Sequence, residues 1–237
     1  MLTSSTGKIK CLKIIKYDRL FQNEKDSLRS YCLRKYQDET PLNTLASSIR
    51  RWLKFAKPKK KISNLIYDII NHLKKEGIHT EGIFRLPSNF AATNKLTNHI
   101  INNESIDLSC FDVLTIANAF KKYIREELDG LIPEEVAYTL EKNIKNNNPL
   151  KNIEYFPFTL EEDKRKLLIE VFSLFKEIDK YSKVNRMNIN NILLIVPPTI
   201  FPKAVQRNIK EFLPFVDILK EIYRLDYENV PNIFIDK

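Results

Sequence analysis

Arg85 lies in the stretch TEGIFRLPSN, residues 80–89, and its neighbours equip it for chemistry better than those of any other side chain. The chain holds only four glycines, and Gly77 and Gly82 fall in or beside this stretch. Gly82 permits backbone angles closed to other residues, and Pro87 fixes one angle. Ile83 and Phe84 are apolar and can anchor the loop in a core. A loop pinned in this way holds an arginine outward at low entropic cost. Arginine is always charged, and its planar fork matches phosphate oxygens. The chemistry on offer is stabilisation of negative charge on a phosphate-like group. A lone loop arginine is ordinarily a surface charge, so the setting carries the case. Glu76 and Glu81 flank the loop, but two such carboxylates more often cap a helix or face water.

Two more sets of cations invite a reading. Lys121 and Arg125 are four residues apart, so they stack on one helix face, where a shared partner or simple solvation accounts for them. Arg50, Arg51, Lys54, Lys57, Lys59, Lys60 and Lys61 crowd IRRWLKFAKPKKK without an acidic residue among them. Beside Trp52 and Phe55, that patch could hold anionic lipid headgroups, contact phosphates or act as a nuclear-import signal. A solvated helix end and linker has the same composition. The formal charge of +9 allows an acidic partner, or a compositional bias towards Lys, Asn and Ile.

Many chemistries are excluded by pattern. There is no phosphate-binding Gly-x-x-x-x-Gly-Lys-Ser/Thr, no Gly-x-Gly-x-x-Gly, no Gly-x-Ser-x-Gly and no His-Glu-x-x-His. Cys11, Cys32 and Cys110 are far apart and unaccompanied by His72, His79 or His99, which argues against zinc and against a disulfide framework. No metal site is expected, and a reducing compartment fits the cysteines. The N-terminal MLTSSTGKIKCLKIIKY does not resemble a signal peptide, and no apolar run approaches membrane-spanning length. A cytoplasmic protein, peripheral at membranes if the basic patch binds lipid, is the expectation.

The elements that must position these residues read as helices. Glycine is scarce and Leu, Ile, Lys and Glu are common, which favours an all-α fold. Residues 1–44 read as an N-terminal arm, with IKCLKII a candidate strand and EKDSLRSYCLRKYQ a candidate helix. Ile62, Leu65, Ile66, Ile69, Ile70 and Leu73 then form one apolar helical face. Gly77 is expected as a left-handed cap of that helix. Ser88 or Asn89 can cap the next helix, whose Ala92, Leu96 and Ile100 repeat every fourth residue. Val113, Ile116, Ala117, Phe120 and Ile124 predict a third helix over roughly residues 111–127. EDKRKLLIEVFSLFKEIDKYS predicts another, with Leu167, Leu168, Val171, Leu174, Phe175 and Ile178 inward. NRMNINNILLIV follows and stops at Pro197-Pro198, and Pro214 implies a kink or a late start in the last helix.

TEGIFRLPSN closely resembles the signature loop of Rho-type GTPase-activating proteins, in which the arginine after Gly-Ile/Leu-Phe is the catalytic finger. AFKKYIREEL is similar to that family's Leu-Lys-x-(Phe/Tyr)-Leu-Arg-Glu-Leu-Pro helix. NRMNINNILLIVPPTIF is similar to its Asn-Lys-Met-x-x-x-Asn-Leu-Ala-x-x-x-x-Pro-x-Leu segment. The three blocks occur in the family's order. The resemblance implies a single multi-helix domain over residues 45–225, between the arm and a tail of residues 226–237. It implies an activator of GTP hydrolysis by a Rho-family small GTPase in its GTP-bound state. Arg85 takes the finger position, entering the partner's site in trans. Lys121 takes the helix lysine at the loop and GTPase interface, and Arg125 the arginine bracing the loop from beneath. Asn191 takes the asparagine that contacts the GTPase, and Pro198 the proline ending that helix. No cofactor of its own is implied, because GTP and magnesium belong to the partner. No independent catalytic activity and no specific nucleic acid are expected. An anionic membrane surface is the candidate second partner. Glu127-Leu128-Asp129-Gly130 replaces the family's Leu-Pro-x-Pro, so that turn is expected to be built differently. Pro197, Thr199 and Pro87 are further departures. A non-catalytic GTPase-binding module and a membrane-surface binder acting through residues 50–61 are the alternative readings.

Overall fold

The computed structural model describes residues 14–36, 61–210 and 212–231. Its elements run β1 (Ile14–Lys16), α1 (Gln22–Tyr36), α2 (Leu65–Lys75), α3 (Phe90–Ile101), α4 (Val113–Lys122), α5 (Glu134–Lys145), α6 (Glu162–Lys180), α7 (Ser182–Asn185), α8 (Ile189–Ile195), α9 (Pro197–Ile200), α10 (Pro202–Arg207), α11 (Leu213–Arg224) and β2 (Asn229–Pro231). The fold is all-α, with one small two-stranded sheet.

The apolar stripes face one core. Leu65, Ile66, Ile69, Ile70 and Leu73 of α2 are buried, as are Leu167, Leu168, Val171, Leu174, Phe175 and Ile178 of α6. α2 packs against both α4 and α6, α3 lies on α4, and α8 bridges α6 and α11. Side-chain caps set the starts. Asn89 Oδ1 accepts from Ala92 N at 3.0 Å, Asp112 Oδ1 from Thr115 N at 2.8 Å, and Asn188 Oδ1 from Asn191 N at 2.9 Å. Pro214 falls in the first turn of α11, which is therefore a late start.

Two expectations change. Gly77 is not a left-handed cap: among the described residues the positive-φ glycines are Gly82 and Gly130. α2 ends at Glu76 in the right-handed region, and the chain runs on as a 3₁₀ turn, Gly77–His79. Gly77 is buried there, and a Cβ on it would stand 2.5 Å from Ile83 Cδ1. Close approach, not handedness, requires this glycine. The third helix also does not run unbroken to residue 127. It is α-helical to Lys122 and widens into a π-turn over Tyr123–Glu127.

The described parts of the arm and tail lie against the domain. β1 pairs antiparallel with β2, Ile15 opposite Val230, and α1 packs on the 3₁₀ segment Ile153–Phe158. Arg165 of α6 is 2% exposed and fastens this region. Its guanidinium stands 3.7 Å from the Tyr17 ring centroid and donates to Tyr227 O and to Asp18 Oδ1. A buried guanidinium needs such partners to offset its lost hydration. Arg165 is near the start of α6, whereas Ile178 and Asp179 near its end hold the loop region. At 1.5 Å per residue the two ends are roughly 20 Å apart. The described part of the arm, residues 14–36, thus packs away from Arg85.

Of the basic stretch, Arg50, Arg51, Lys54, Lys57, Lys59 and Lys60 lie outside the described residues, and Lys61 is exposed. No helix among the described residues is long and apolar enough to cross a membrane.

Candidate functional site around Arg85

The loop that carries Arg85 is fixed by its backbone and by the two residues before the arginine. Gly82 has φ 66° and Phe84 has φ 65°. A left-handed phenylalanine is strained by on the order of 1–3 kcal/mol and persists only where its surroundings over-determine it. They do so here. The Phe84 ring is 1% exposed and lies 6.0 Å from the Phe120 ring and 5.7 Å from that of Phe175. Ile83 is fully buried beside it. Arg85 N and Leu86 N both donate to Gly82 O, at 2.9 and 2.8 Å, which closes a tight turn.

Two polar side chains and one backbone carbonyl clamp this turn from the rest of the fold. Lys121 Nζ donates to Phe84 O. Asn118 Nδ2, from the same helix, donates to Leu86 O at 3.0 Å. Asn185 is fully buried; its Nδ2 donates to Ile78 O and Ile178 O at 3.0 and 2.8 Å, and its Oδ1 accepts from Met187 N at 2.8 Å. Its own carbonyl accepts from Gly82 N at 2.8 Å. Asn185 thereby ties the end of α6, the 3₁₀ turn and the Arg85 loop into one unit.

Arg85 itself is exposed, and its side chain makes no hydrogen bond or ion pair with another described residue. Everything around it is used for holding, and the guanidinium is left free. That arrangement suits a charge aimed at a group outside this chain.

Lys121 joins the loop from below. Its ammonium lies mostly out of water, and burial, with the nearby Arg125 cation second, lowers its pKa from 10.5 to about 8. The unfolded chain therefore holds this proton up to about pH 10.5 while the folded chain releases it near 8. Between those values the unfolded state binds more protons, so this group's contribution to stability rises with pH. The stability of wild type relative to Lys121→Met should rise from pH 8 to 10.5 by up to about 3 kcal/mol, read from urea melts at each pH.

The other anticipated residues are placed as follows. Arg125 is exposed and pairs with Glu126 at 2.7 Å. The bonds that hold the loop from beneath come instead from Lys121, Asn118 and Asn185. Asn191 is exposed in the first turn of α8, its Nδ2 donating to Arg186 O at 3.4 Å. Pro198 is exposed on α9, one residue after the buried Pro197. The fold thus brings Arg85 and Lys121 into direct register and joins them to the Asn185 block. Asn191 and Pro198 follow in that block without a hydrogen bond to the loop. Asn185 and Asn118 carry weight that residue type alone does not reveal. The signal that points to Asn185 is its place at the head of the NRMNINN block, at the break between two apolar stripes.

The RhoGAP domain family model matches residues 63–205, more than half of the chain and all five of these positions. The chain belongs to the RhoGAP family. Among curated relatives of this RhoGAP domain, Rho GTPase-activating protein gacHH of Dictyostelium discoideum is 33% identical over 137 residues. That alignment covers 58% of this chain and 9% of the relative. Probable Rho-GTPase-activating protein 7 of Schizosaccharomyces pombe is 25% identical over 195 residues, 77% of this chain and 28% of that protein. The chain thus spans less than a third of either relative. Among solved structures, the BH domain from GRAF, the GTPase regulator associated with focal adhesion kinase, superposes with a TM-score of 0.55 at 21% identity. It covers 73% of this chain and 93% of its own. Human Rho GTPase activating protein 15 gives 0.53 at 18% identity, covering 67% and 81%. At those identities the likeness is one of fold. α1, β1, α11 and β2 lie outside the residues matched by the RhoGAP model.

Proposed function

We propose that this RhoGAP domain accelerates GTP hydrolysis by a Rho-family small GTPase, with Arg85 entering the partner's nucleotide site in trans. The observation that carries the reading is the unpaired, exposed Arg85 on a loop whose backbone is clamped by Lys121, Asn118 and Asn185. In GTP hydrolysis, negative charge builds on the oxygens of the leaving diphosphate and the transferring phosphoryl group. A guanidinium delivered into a closed, water-poor site stabilises that charge more in the transition state than in the ground state. An arginine supplied in trans to a Ras-type GTPase is worth about 10³–10⁵ in rate. The partner supplies GTP, magnesium, the phosphate loop and the attacking water. This chain supplies Arg85 and the surface that meets the GTP-bound form.

Beside Arg85 that surface is apolar and cationic. Phe90, in the first turn of α3, is 77% exposed, and Leu86 is exposed next to the finger. Lys122 Nζ lies 5.6 Å from the Phe90 ring centroid and is itself held by Asn94 Oδ1. An exposed aromatic with little freedom to lose is the kind of side chain that anchors an interface. Phe90→Ala should raise the KM for the GTP-loaded GTPase about tenfold, with the saturated rate little changed. Initial rates across a GTPase titration check it.

The reading is tested by phosphate release from a panel of purified Rho-, Ras- and Arf-type GTPases, each with and without this chain. Acceleration confined to Rho-type members supports it. Acceleration of none of them, or of Ras- or Arf-type members alone, removes it.

A further inference from the structure

Lys164 lies far from Arg85 in sequence, and its amine ends in the turn that departs most from the family pattern. That turn, Leu128 to Gly130, follows the π-turn at the end of the Lys121–Arg125 helix. Leu128 N donates to Tyr123 O at 3.2 Å and Gly130 N to Ile124 O at 2.9 Å, which closes the wide turn. Asp129 then has φ 54° and Gly130 φ 82°, both left-handed. A Cβ on Gly130 would stand 2.5 Å from Ile200 O and 2.5 Å from Pro202 Cδ, so only glycine fits. Proline would preset such a turn by fixing φ, and no proline is present here. The carbonyls of Leu128 and Gly130 instead turn toward α6, where Lys164 Nζ donates to both, at 2.9 and 2.8 Å. Burial of this amine lowers its pKa, in keeping with a cation held inside the fold.

The far side of the turn meets the other half of the site. Leu131 N and Ile132 N both donate to Ile200 O, at 2.9 and 3.3 Å. Ile200 ends α9, the short helix that contains Pro198 and follows the helix bearing Asn191. Lys203, just beyond, pairs with Asp129 at 3.2 Å. One turn therefore joins the helix carrying Lys121 and Arg125 to the segment carrying Asn191 and Pro198, and Lys164 is its brace.

We infer that Lys164 is a positioning residue for the proposed GTPase-binding face, setting the Lys121–Arg125 helix against the Asn191–Pro198 segment through the Leu128–Gly130 turn. The inference rests on the function proposed above. Arg85 has its own clamps, so loosening the turn should disturb docking more than the chemical step. Lys164→Met keeps the stem and removes the donors, and Lys164→Arg restores donors.

The experiment has two arms. In the chain alone, hydrogen exchange at the amides of Gly130, Leu131 and Ile132 should quicken on the order of tenfold in Lys164→Met and recover in Lys164→Arg. With a responsive Rho-type GTPase, Lys164→Met should raise KM on the order of tenfold, change kcat less, and be rescued in part by Lys164→Arg. Unchanged exchange in Lys164→Met overturns the brace. Faster exchange with wild-type KM, or a lower melting temperature alone, makes Lys164 structural only and overturns the positioning role. A wild-type chain that stimulates no Rho-type GTPase removes the function on which the inference rests, and with it the positioning role; the exchange arm still decides the brace.

Discussion

Replacing Arg85 with alanine should abolish nearly all of the stimulated GTP hydrolysis while the GTP-loaded GTPase still binds. The expected loss is about 10³-fold or more in the stimulated rate, equivalent to roughly 4 kcal/mol of transition-state stabilisation. The fold should not notice. The Arg85 side chain is exposed and bonds to no described residue, so stability should stay within about 0.5 kcal/mol of wild type. The loop also keeps its shape, because the clamps grip the carbonyls of Phe84 and Leu86 and the amide of Gly82. Arg85→Lys keeps a charge but loses the planar fork, so it should recover only part of the rate. Single-turnover phosphate release gives the rate, and fluorescence polarisation with a GTP-analogue-loaded GTPase gives the binding. A variant that stimulates as well as wild type refutes the finger assignment.

The second large effect belongs to Asn185, and it falls on stability as well as rate. Alanine there removes three hydrogen bonds made by a side chain with no exposure. The carbonyls of Ile78 and Ile178 and the amide of Met187 are left without that partner. A buried polar group so stranded costs about 1–3 kcal/mol, and the vacated space adds to it. Asn185→Ala should therefore destabilise the chain by roughly 3–5 kcal/mol in urea unfolding. At temperatures where it remains folded it should still lose stimulated rate, because Gly82 and the finger turn hang from the same segment. Asn185→Asp keeps the acceptor, loses both donors and buries a charge, so it should be no better. A stable Asn185→Ala with wild-type rate would show that the Asn185 side chain does not position the loop.

How much of this could be read from the chain depends on whether the cause is local. The stripes of α2, α4 and α6 are visible because each helix must turn one apolar face inward, and Asn89 announces a helix start by its own side chain. Ile83 and Phe84 are legible as anchors for the same reason. Gly77 is not, because a glycine required for close approach to Ile83 looks the same as one required for a left-handed angle. The left-handed Phe84 is invisible in sequence; its strain is tolerated only because Phe120, Phe175 and Lys121 arrive from elsewhere. Asn185 heads the NRMNINN block in sequence, but its burial and its three bonds are visible only in the fold.

Charge is the least legible signal. EDKRK opens the α6 pattern with charges to which the apolar stripe assigns no partner. The fold instead turns Lys164 onto two turn carbonyls and buries Arg165 against Tyr17. Both partners lie far off in sequence, so no periodicity could reveal them. The pairing of β1 with β2 spans most of the chain and is hidden for the same reason. The replacement of Leu-Pro-x-Pro was legible as a departure. That Lys164 grips this turn and that Gly130 alone fits it needed the structure.

The most direct measurement of the central claim is single-turnover GTP hydrolysis by a Rho-type GTPase mixed with a saturating excess of the wild-type chain. The account predicts a phosphate-release rate at least about 10³-fold above the GTPase alone, and lost with Arg85→Ala. Binding to the GTP-loaded GTPase with the intrinsic hydrolysis rate unchanged would contradict it, and would make this RhoGAP domain a binding module without catalysis.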